Sequence, residues 1–212
     1  MLPRIASLII GYLFGIIQTA YIYGKMKGID IREHGSGNAG TTNALRVLGK
    51  KAGAVVFAGD FLKCFVVIFL VKFIFKSMAA HILPLIGLYA ATGCILGHNF
   101  PVQLGFRGGK GIACTAGLLA AFDIRIGIIA LITFLVIVIA TRYVSLGSII
   151  IVTEFALFTV IFGQMGLYHM AQAPLVEMYV LAVFLAVMAI YRHRANIVRL
   201  LNGTENRIFE KK

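Results

Sequence analysis

Hydrophobic residues gather along this chain into long runs separated by compact polar clusters. The runs have the length of membrane crossings rather than of strands. Seven can be read, at 5–24, 52–75, 79–97, 111–122, 126–141, 144–163 and 174–191. A helix needs about 20 residues to cross a hydrocarbon core about 30 Å thick. The fourth run is short, reaching about 18 Å at ~1.5 Å per residue. The pattern predicts an all-α integral membrane protein with seven transmembrane helices, one of them short, forming a single polytopic domain over 1–212. No linker, low-complexity stretch or internal repeat interrupts it, which argues against transporters built on paired halves.

Charge gives the pattern a direction. With seven crossings and the N-terminus outside, the inner loops hold Lys25, Lys27, Arg32, Arg46, Lys50, Lys51, Arg107, Lys110, Arg142 and a basic tail from Arg192 to Lys212. The outer side keeps Arg4, Lys76 and Arg125. Removing the short run from the count would put the basic tail outside, against the positive-inside rule. The C-terminus is therefore expected in the cytoplasm. The first run lacks a small-x-small cleavage site and carries more positive charge after it than before it, as an uncleaved helix would.

Composition narrows the function classes. The chain is 60% hydrophobic without tryptophan, and its mean hydropathy of +0.93 excludes a soluble domain. A net charge of +12 could suit a nucleic-acid binder. The positive-inside distribution and anionic inner-leaflet lipids account for it, however, and no nucleic-acid motif accompanies it. Cys64, Cys94 and Cys114 lie in or beside apolar runs without paired spacing, as small buried hydrophobes do. No Cys/His cluster has metal-ligand spacing, so no metal is expected.

Three polar clusters remain, all on the inner side of this topology. The first holds Ser36, Gly37, Asn38, Gly40, Thr41, Thr42 and Asn43, with Arg46 three residues on and so on the same helical face. Its glycines can turn backbone N–H groups toward an anion. Gly35, Gly37 and Gly40 imitate a dinucleotide fingerprint, but Asp60, at the distance of its acidic partner, lies inside an apolar run. The second cluster runs from Gly97 and His98 to Pro101, then through Arg107, Gly108, Gly109 and Lys110 to the fourth run. Gly108 and Gly109 allow close backbone approach, and Lys110 sits at an expected helix N-terminus, where an anion is favoured. In the third, Arg192, Asn196 and Arg199 fall at i, i+4 and i+7 of a helix continuing the last run, with His193 and Asn196 at i, i+3. Glu205 is expected to pair with a basic neighbour. Arg142, Ser145 and Ser148 form a small inner turn that can add a hydroxyl. Asp60 and Lys63, at i, i+3 inside a run, read as a mutually satisfied pair.

Taken singly, these clusters also read as a hydrogen-bonded turn, a positive-inside anchor and a membrane-edge histidine. Together they suit an anionic ligand. They resemble the motifs of the acyl-phosphate-dependent, integral-membrane glycerol-3-phosphate acyltransferases of bacteria, the PlsY family. The pattern S-G-N-x-G-x-T-N-x-x-R-x-x-G runs here from Ser36 to Gly49. G-H-x-F-P followed by F-x-G-G-K runs from Gly97 to Lys110, and R-H-x-x-N-I-x-R-L-x-x-G-x-E from Arg192 to Glu205. Order and placement between runs are kept, and no motif residue with an expected catalytic role departs from the pattern.

The resemblance implies transfer of a fatty acyl group from acyl phosphate to the 1-hydroxyl of sn-glycerol 3-phosphate, giving lysophosphatidate and phosphate without a cofactor. It implies seven helices in the bacterial inner membrane, with the active site facing the cytoplasm. The acyl phosphate would come from a soluble phosphate acyltransferase. Both substrates carry phosphate, so Ser36, Asn43, Arg46 and Lys110 are expected to hold phosphate groups, aided by Asn38 and Thr41. Gly108 and Gly109 are expected to supply backbone donors. His193 and Asn196 are expected to position the glycerol phosphate, with Ser148 as an addition. No histidine is followed by aspartate five positions on, so the base is either His193 or an oxygen of the substrate phosphate. A transporter or channel for organic phosphates would also need cationic loops, but transport sites lie near the membrane midplane. A purely structural protein leaves the motif density unexplained.

Overall fold

The computed structural model describes residues 1–208; Lys211 and Lys212 of the expected basic tail lie outside the described residues. Among those described, the chain is helical with no strand. It divides into two compact units, Met1–Phe122 and Asp123–Lys212. Six helical stretches are long and apolar enough to cross a membrane, at Leu2–Met26, Lys50–Phe75, Ala80–Leu104, Ile124–Thr141, Val144–Gln164 and Gln172–Arg192. They coincide with six of the seven expected runs. The remaining run forms the shorter apolar helix Ile112–Phe122.

In the first unit the opening run is broken where the sequence suggested one helix. It gives α1 (Leu2–Gly15) and α2 (Thr19–Met26), with Gln18 extended between them at φ −98°, ψ 91°. Carbonyls freed by such a break need partners inside a bilayer. Lys63 Nζ takes those of Gly15 and Ile17, Gln103 Nε2 takes that of Ile16, and the Gln18 amide donates back to Gly15. A loop with a short 3₁₀ turn (Ile31–Glu33) leads to α3 (Thr41–Leu48), which packs against the long α4 (Lys50–Phe75). Next come α5 (Leu83–Asn99), a second loop, and α6 (Ile112–Phe122).

The packing of α1 on α5 is backbone against backbone. A Cβ placed on Gly11 would lie 2.0 Å from the carbonyl oxygen of Ala90, and one on Gly93 would lie 2.0 Å from that of Leu8. Gly15 and Gly97 meet in the same seam. Small residues are what allow helices in lipid to approach so closely. At the far side, a Cβ on Gly117 of α6 would reach within 2.3 Å of the Phe61 carbonyl oxygen of α4. Thus α6, at ~1.5 Å per residue too short to span ~30 Å alone, is packed into the unit by most of its surface.

The second unit holds α7 (Ile124–Thr141), α8 (Val144–Gln164), α9 (Gln172–Arg192) and α10 (Arg194–Leu201). Asp123 caps α7 by accepting from Arg125 N at 3.0 Å. Apolar side chains such as Leu131, Val136 and Ile139 stay exposed on α7, a surface suited to lipid.

Candidate active site

The first polar cluster is folded by Asn43. Its Oδ1 accepts from Ser36 N at 2.8 Å, and its Nδ2 donates to Ile31 O at 3.1 Å and His34 O at 2.9 Å. Both amide protons are therefore committed to the loop, so Asn43 shapes the segment and has no donor left for phosphate. The turn requires left-handed backbone at Gly35 and Gly37, with φ of +62° and +70°. Ser36 is exposed between them, and Arg46 is exposed on α3. Asn38 lies over Gly40 at the start of α3, where a Cβ would come within 2.8 Å of its Nδ2. The Thr41 hydroxyl oxygen there is buried with no hydrogen-bond partner among the described residues. Buried polar atoms are normally paired, so this hydroxyl is suited to receive something.

Arg32 steadies the same loop. It donates to both oxygens of Asp30, at 3.0 and 2.7 Å, and reaches across to Leu104 O at 3.2 Å. Those side-chain bonds from Arg32 hold the Asp30 carboxyl down to about 2, against a partial opposing effect of burial.

The second cluster differs from expectation in one respect. Gly108 N–H donates to Asn99 O at 3.3 Å, and Gly109 N–H donates to His98 O at 3.1 Å. These groups fasten the loop to the end of α5, and the glycines are required by space instead. A Cβ on Gly108 would lie 2.0 Å from His98 O, and one on Gly109 would lie 2.2 Å from His98 Nε2 and 2.8 Å from Ala39 O. Lys110 follows, half-buried, two residues before α6 begins. The two loops therefore meet at His98, which sequence reasoning passed over although it stands in the second motif.

Behind this seam lies the expected ion pair. Lys63 Nζ is 2.9 Å from Asp60 Oδ1, and Thr19 Oγ1 also donates to Asp60 Oδ1 at 3.0 Å. Asp60, His98 and Cys114 bring candidate metal-ligand atoms within 4.8 Å of one another. Lys63 already stands among them, 2.9 Å from Asp60 and 3.0 Å from His98.

In the second unit the helix does not run straight on from the last span. It breaks at His193, whose φ and ψ are −95° and 5°, so the expected i, i+4, i+7 face of Arg192, Asn196 and Arg199 is not one continuous stripe. His193 is buried, and its Nδ1 lies 2.7 Å from Ala189 O. A carbonyl opposite that nitrogen requires it to carry the proton, so Nε2 of the neutral ring presents a lone pair. Asn196 Nδ2 donates to Glu205 Oε1 at 2.8 Å, Ser145 Oγ donates to the same oxygen at 3.1 Å, and Arg199 Nε donates to Oε2 at 2.8 Å. Glu205 thus pairs with a basic neighbour as expected and also anchors Asn196. Ser148 uses its hydroxyl proton within its own helix, donating to Val144 O at 2.8 Å, which leaves it only an acceptor to offer.

A family model described as glycerol-3-phosphate acyltransferase matches residues 5–203. A curated protein of that name from Clostridioides difficile (strain 630) is 42% identical, covering 96% of this chain and 95% of its own. One from Thermoanaerobacter sp. (strain X514) is 41% identical, covering 98% and 96%. The fold is similar to the crystal structure of PlsY, an integral membrane glycerol 3-phosphate acyltransferase, in its glycerol 3-phosphate form. The TM-score is 0.83 at 36% identity, covering 97% of this chain and 95% of that one. The lysophosphatidic acid form of PlsY gives 0.80 at 35% identity, covering 96% and 94%.

Proposed function

Because this chain belongs to the glycerol-3-phosphate acyltransferase family, we propose that it transfers a fatty acyl group from acyl phosphate to the 1-hydroxyl of sn-glycerol 3-phosphate. The hydroxyl oxygen bonds to the acyl carbon, the bond from that carbon to the phosphate oxygen breaks, and lysophosphatidate and inorganic phosphate leave. The observation that carries this reading is the meeting of two glycine-containing loops at His98, one leading to Arg46 and the other to Lys110. A mixed anhydride is already activated, so positioning and charge neutralisation suffice, with no covalent nucleophile. Supporting a substrate with phosphate are the solved relative's glycerol 3-phosphate and lysophosphatidic acid forms.

Ser36, Arg46 and Lys110 hold phosphate oxygens in this reading, with Thr41 and Asn38 at the start of α3 as neighbouring partners. Asn43, Gly108 and Gly109 shape the loops that present them. His193 and Asn196 position glycerol 3-phosphate, and Ser148 contributes an acceptor. The hydroxyl proton goes to the departing phosphate. With its Nδ1 proton committed to Ala189 O, His193 donates from Nε2 as the imidazolium, which bound phosphate favours. For topology, α6 completes a seventh crossing in the bacterial inner membrane, with the N-terminus outside and the site facing the cytoplasm. A soluble phosphate acyltransferase supplies the acyl phosphate.

The test is phosphate release by purified protein in lipid, given palmitoyl phosphate and glycerol 3-phosphate, beside a palmitoyl-CoA control. Release that needs both substrates, yields lysophosphatidate and is lost in Arg46→Ala supports the reading. Turnover of palmitoyl-CoA alone would overturn the donor assignment. Vesicle uptake of labelled glycerol 3-phosphate without any acyl donor would overturn the enzyme in favour of transport.

A further inference from the structure

Lys63 does more than balance Asp60. Its ammonium lies 2.9 Å from Asp60 Oδ1, donates to Ile17 O at 2.6 Å and Gly15 O at 3.2 Å, and stands 3.0 Å from His98 Nδ1. An ammonium offers only protons, and Asp60 Oδ1, 3.7 Å from the same ring nitrogen, is too far to accept from it, so that nitrogen presents its lone pair. The single proton of a neutral imidazole is then on Nε2. That nitrogen lies in the seam between the loops, in the space a side chain on Gly109 would need, and that space also borders Ala39 O. The backbone of His98 is fixed as well, since its carbonyl accepts from Gly109 N at 3.1 Å and from Gln18 Nε2 at 3.1 Å.

We propose that the Asp60–Lys63 pair locks His98 in its Nε2–H tautomer, and that His98 is a positioning residue keeping the Gly109–Lys110 segment in register with the Ala39–Thr41 segment for phosphate binding. With the opposite tautomer, the ring would turn a lone pair instead of a proton toward the seam that Gly109 and Ala39 line, and would lose its donor there. Asp60, His98 and Cys114 also have the spacing of a metal site, but Lys63 already supplies positive charge between two of the three. Gly15 and Ile17, at the break in the first span, complete the cage around that charge. The buried ion pair of α4, the break between α1 and α2, and the second motif therefore form one device.

The kinetic arm of the test rests on the acyl-transfer reading; the spectroscopic arm does not. Nitrogen-15 histidine spectra of the full chain in lipid nanodiscs, with the His98 signals assigned by their loss in His98→Asn, should show Nδ1 bare and Nε2 protonated. The double variant Asp60→Asn/Lys63→Met removes both charges together, so neither is orphaned. It should turn the His98 signals into a mixture of tautomers. In kinetics, His98→Asn keeps a group facing Lys63 but has none at the seam. It should raise KM for glycerol 3-phosphate about tenfold, with kcat within about threefold. His98→Gln, whose amide reaches the Nε2 position, should restore KM to within about threefold. A wild-type ring protonated on Nδ1 overturns the proposal. So do Asn and Gln variants that lose kcat, KM and melting temperature in parallel, as a purely structural residue would. If the wild type turns over no acyl phosphate, the acyl-transfer reading falls, and the ring signature with calorimetric glycerol 3-phosphate binding still decides this one.

Discussion

Replacing Gly108 by alanine tests the loop geometry most directly. The added methyl would lie 2.0 Å from the carbonyl oxygen of His98, 2.6 Å from Pro101 Cδ and 3.0 Å from the carbonyl oxygen of Asn99. Two of these obstacles are backbone at the end of α5 and the third belongs to a proline ring, so no flexible side chain can swing aside. The loop itself must retreat by more than about 1 Å to restore an ordinary contact, and a misplacement of about 1 Å in a positioned group can already cost about 10²-fold in rate. That retreat also lengthens the bonds from Gly108 N to Asn99 O and from Gly109 N to His98 O, now 3.3 and 3.1 Å. We expect kcat/KM for glycerol 3-phosphate to fall about 100-fold, with the melting temperature in detergent nearly unchanged. Gly105→Asn is the control, because Gly105 has φ +61° and no neighbour to meet a Cβ, and asparagine tolerates that conformation. Its kcat/KM should stay within about twofold. Should Gly108→Ala unfold instead, Gly109→Ala serves in its place. Activity of Gly108→Ala within about threefold of wild type, in folded protein, would refute the assignment of Lys110 to a loop held by that close approach.

Other consequences can be checked with the same preparations. Glu205→Ala removes the carboxylate to which the buried Asn196 amide, Ser145 and Arg199 donate, a loss of about 1–3 kcal/mol visible as a lowered melting temperature together with lowered activity. Glu205→Gln keeps an acceptor for Asn196 and Ser145 and should retain more of both than Ala; equal damage in the two would show that charge, not anchoring, matters. His193→Gln, which keeps an N–H at the Nε2 position, should retain far more activity than His193→Ala, whereas near-complete loss in both, with binding intact, would make His193 the base. The Asp30 carboxyl, lowered from 3.8 to about 2 by Arg32, contributes stability that is full above about pH 4 and fades as pH falls through about 2. Acid titration of the melting temperature should show that loss in the wild type and a flatter profile in Asp30→Asn.

The spans were legible because an apolar run of bilayer length has few other uses. The Asp60–Lys63 pair and the pairing of Glu205 with a basic residue were legible too, since charges in or beside apolar runs must find partners. The break after Gly15 was not, because Ile16 and Ile17 are as apolar as their neighbours and only Gln18 hints at it. What stabilises that break is Lys63 and Gln103, far along the chain. The kink at His193 carries no glycine or proline to announce it. Asn43 looked like a ligand because amides suit phosphate, yet its protons are used by carbonyls nine and twelve positions away, which no local pattern reports. His98 was visible in its motif, but its role depends on which nitrogen faces Lys63, a fact of tertiary placement alone.

The glycine seam between α1 and α5 has a consequence for how the chain is made. The carbonyls that Gln18 satisfies on α5 lie about 80 positions downstream, as in its bond to His98 O. At ~5–20 residues per second of synthesis, the first helix waits about 4–16 s before its docking partner is complete. Throughout that interval its glycine face has nothing of the finished protein against it, and the Ile16 carbonyl still lacks Gln103. Lipid cannot satisfy such a group, so the nascent first span must be held in a hydrated or protein-lined insertion site until α5 arrives.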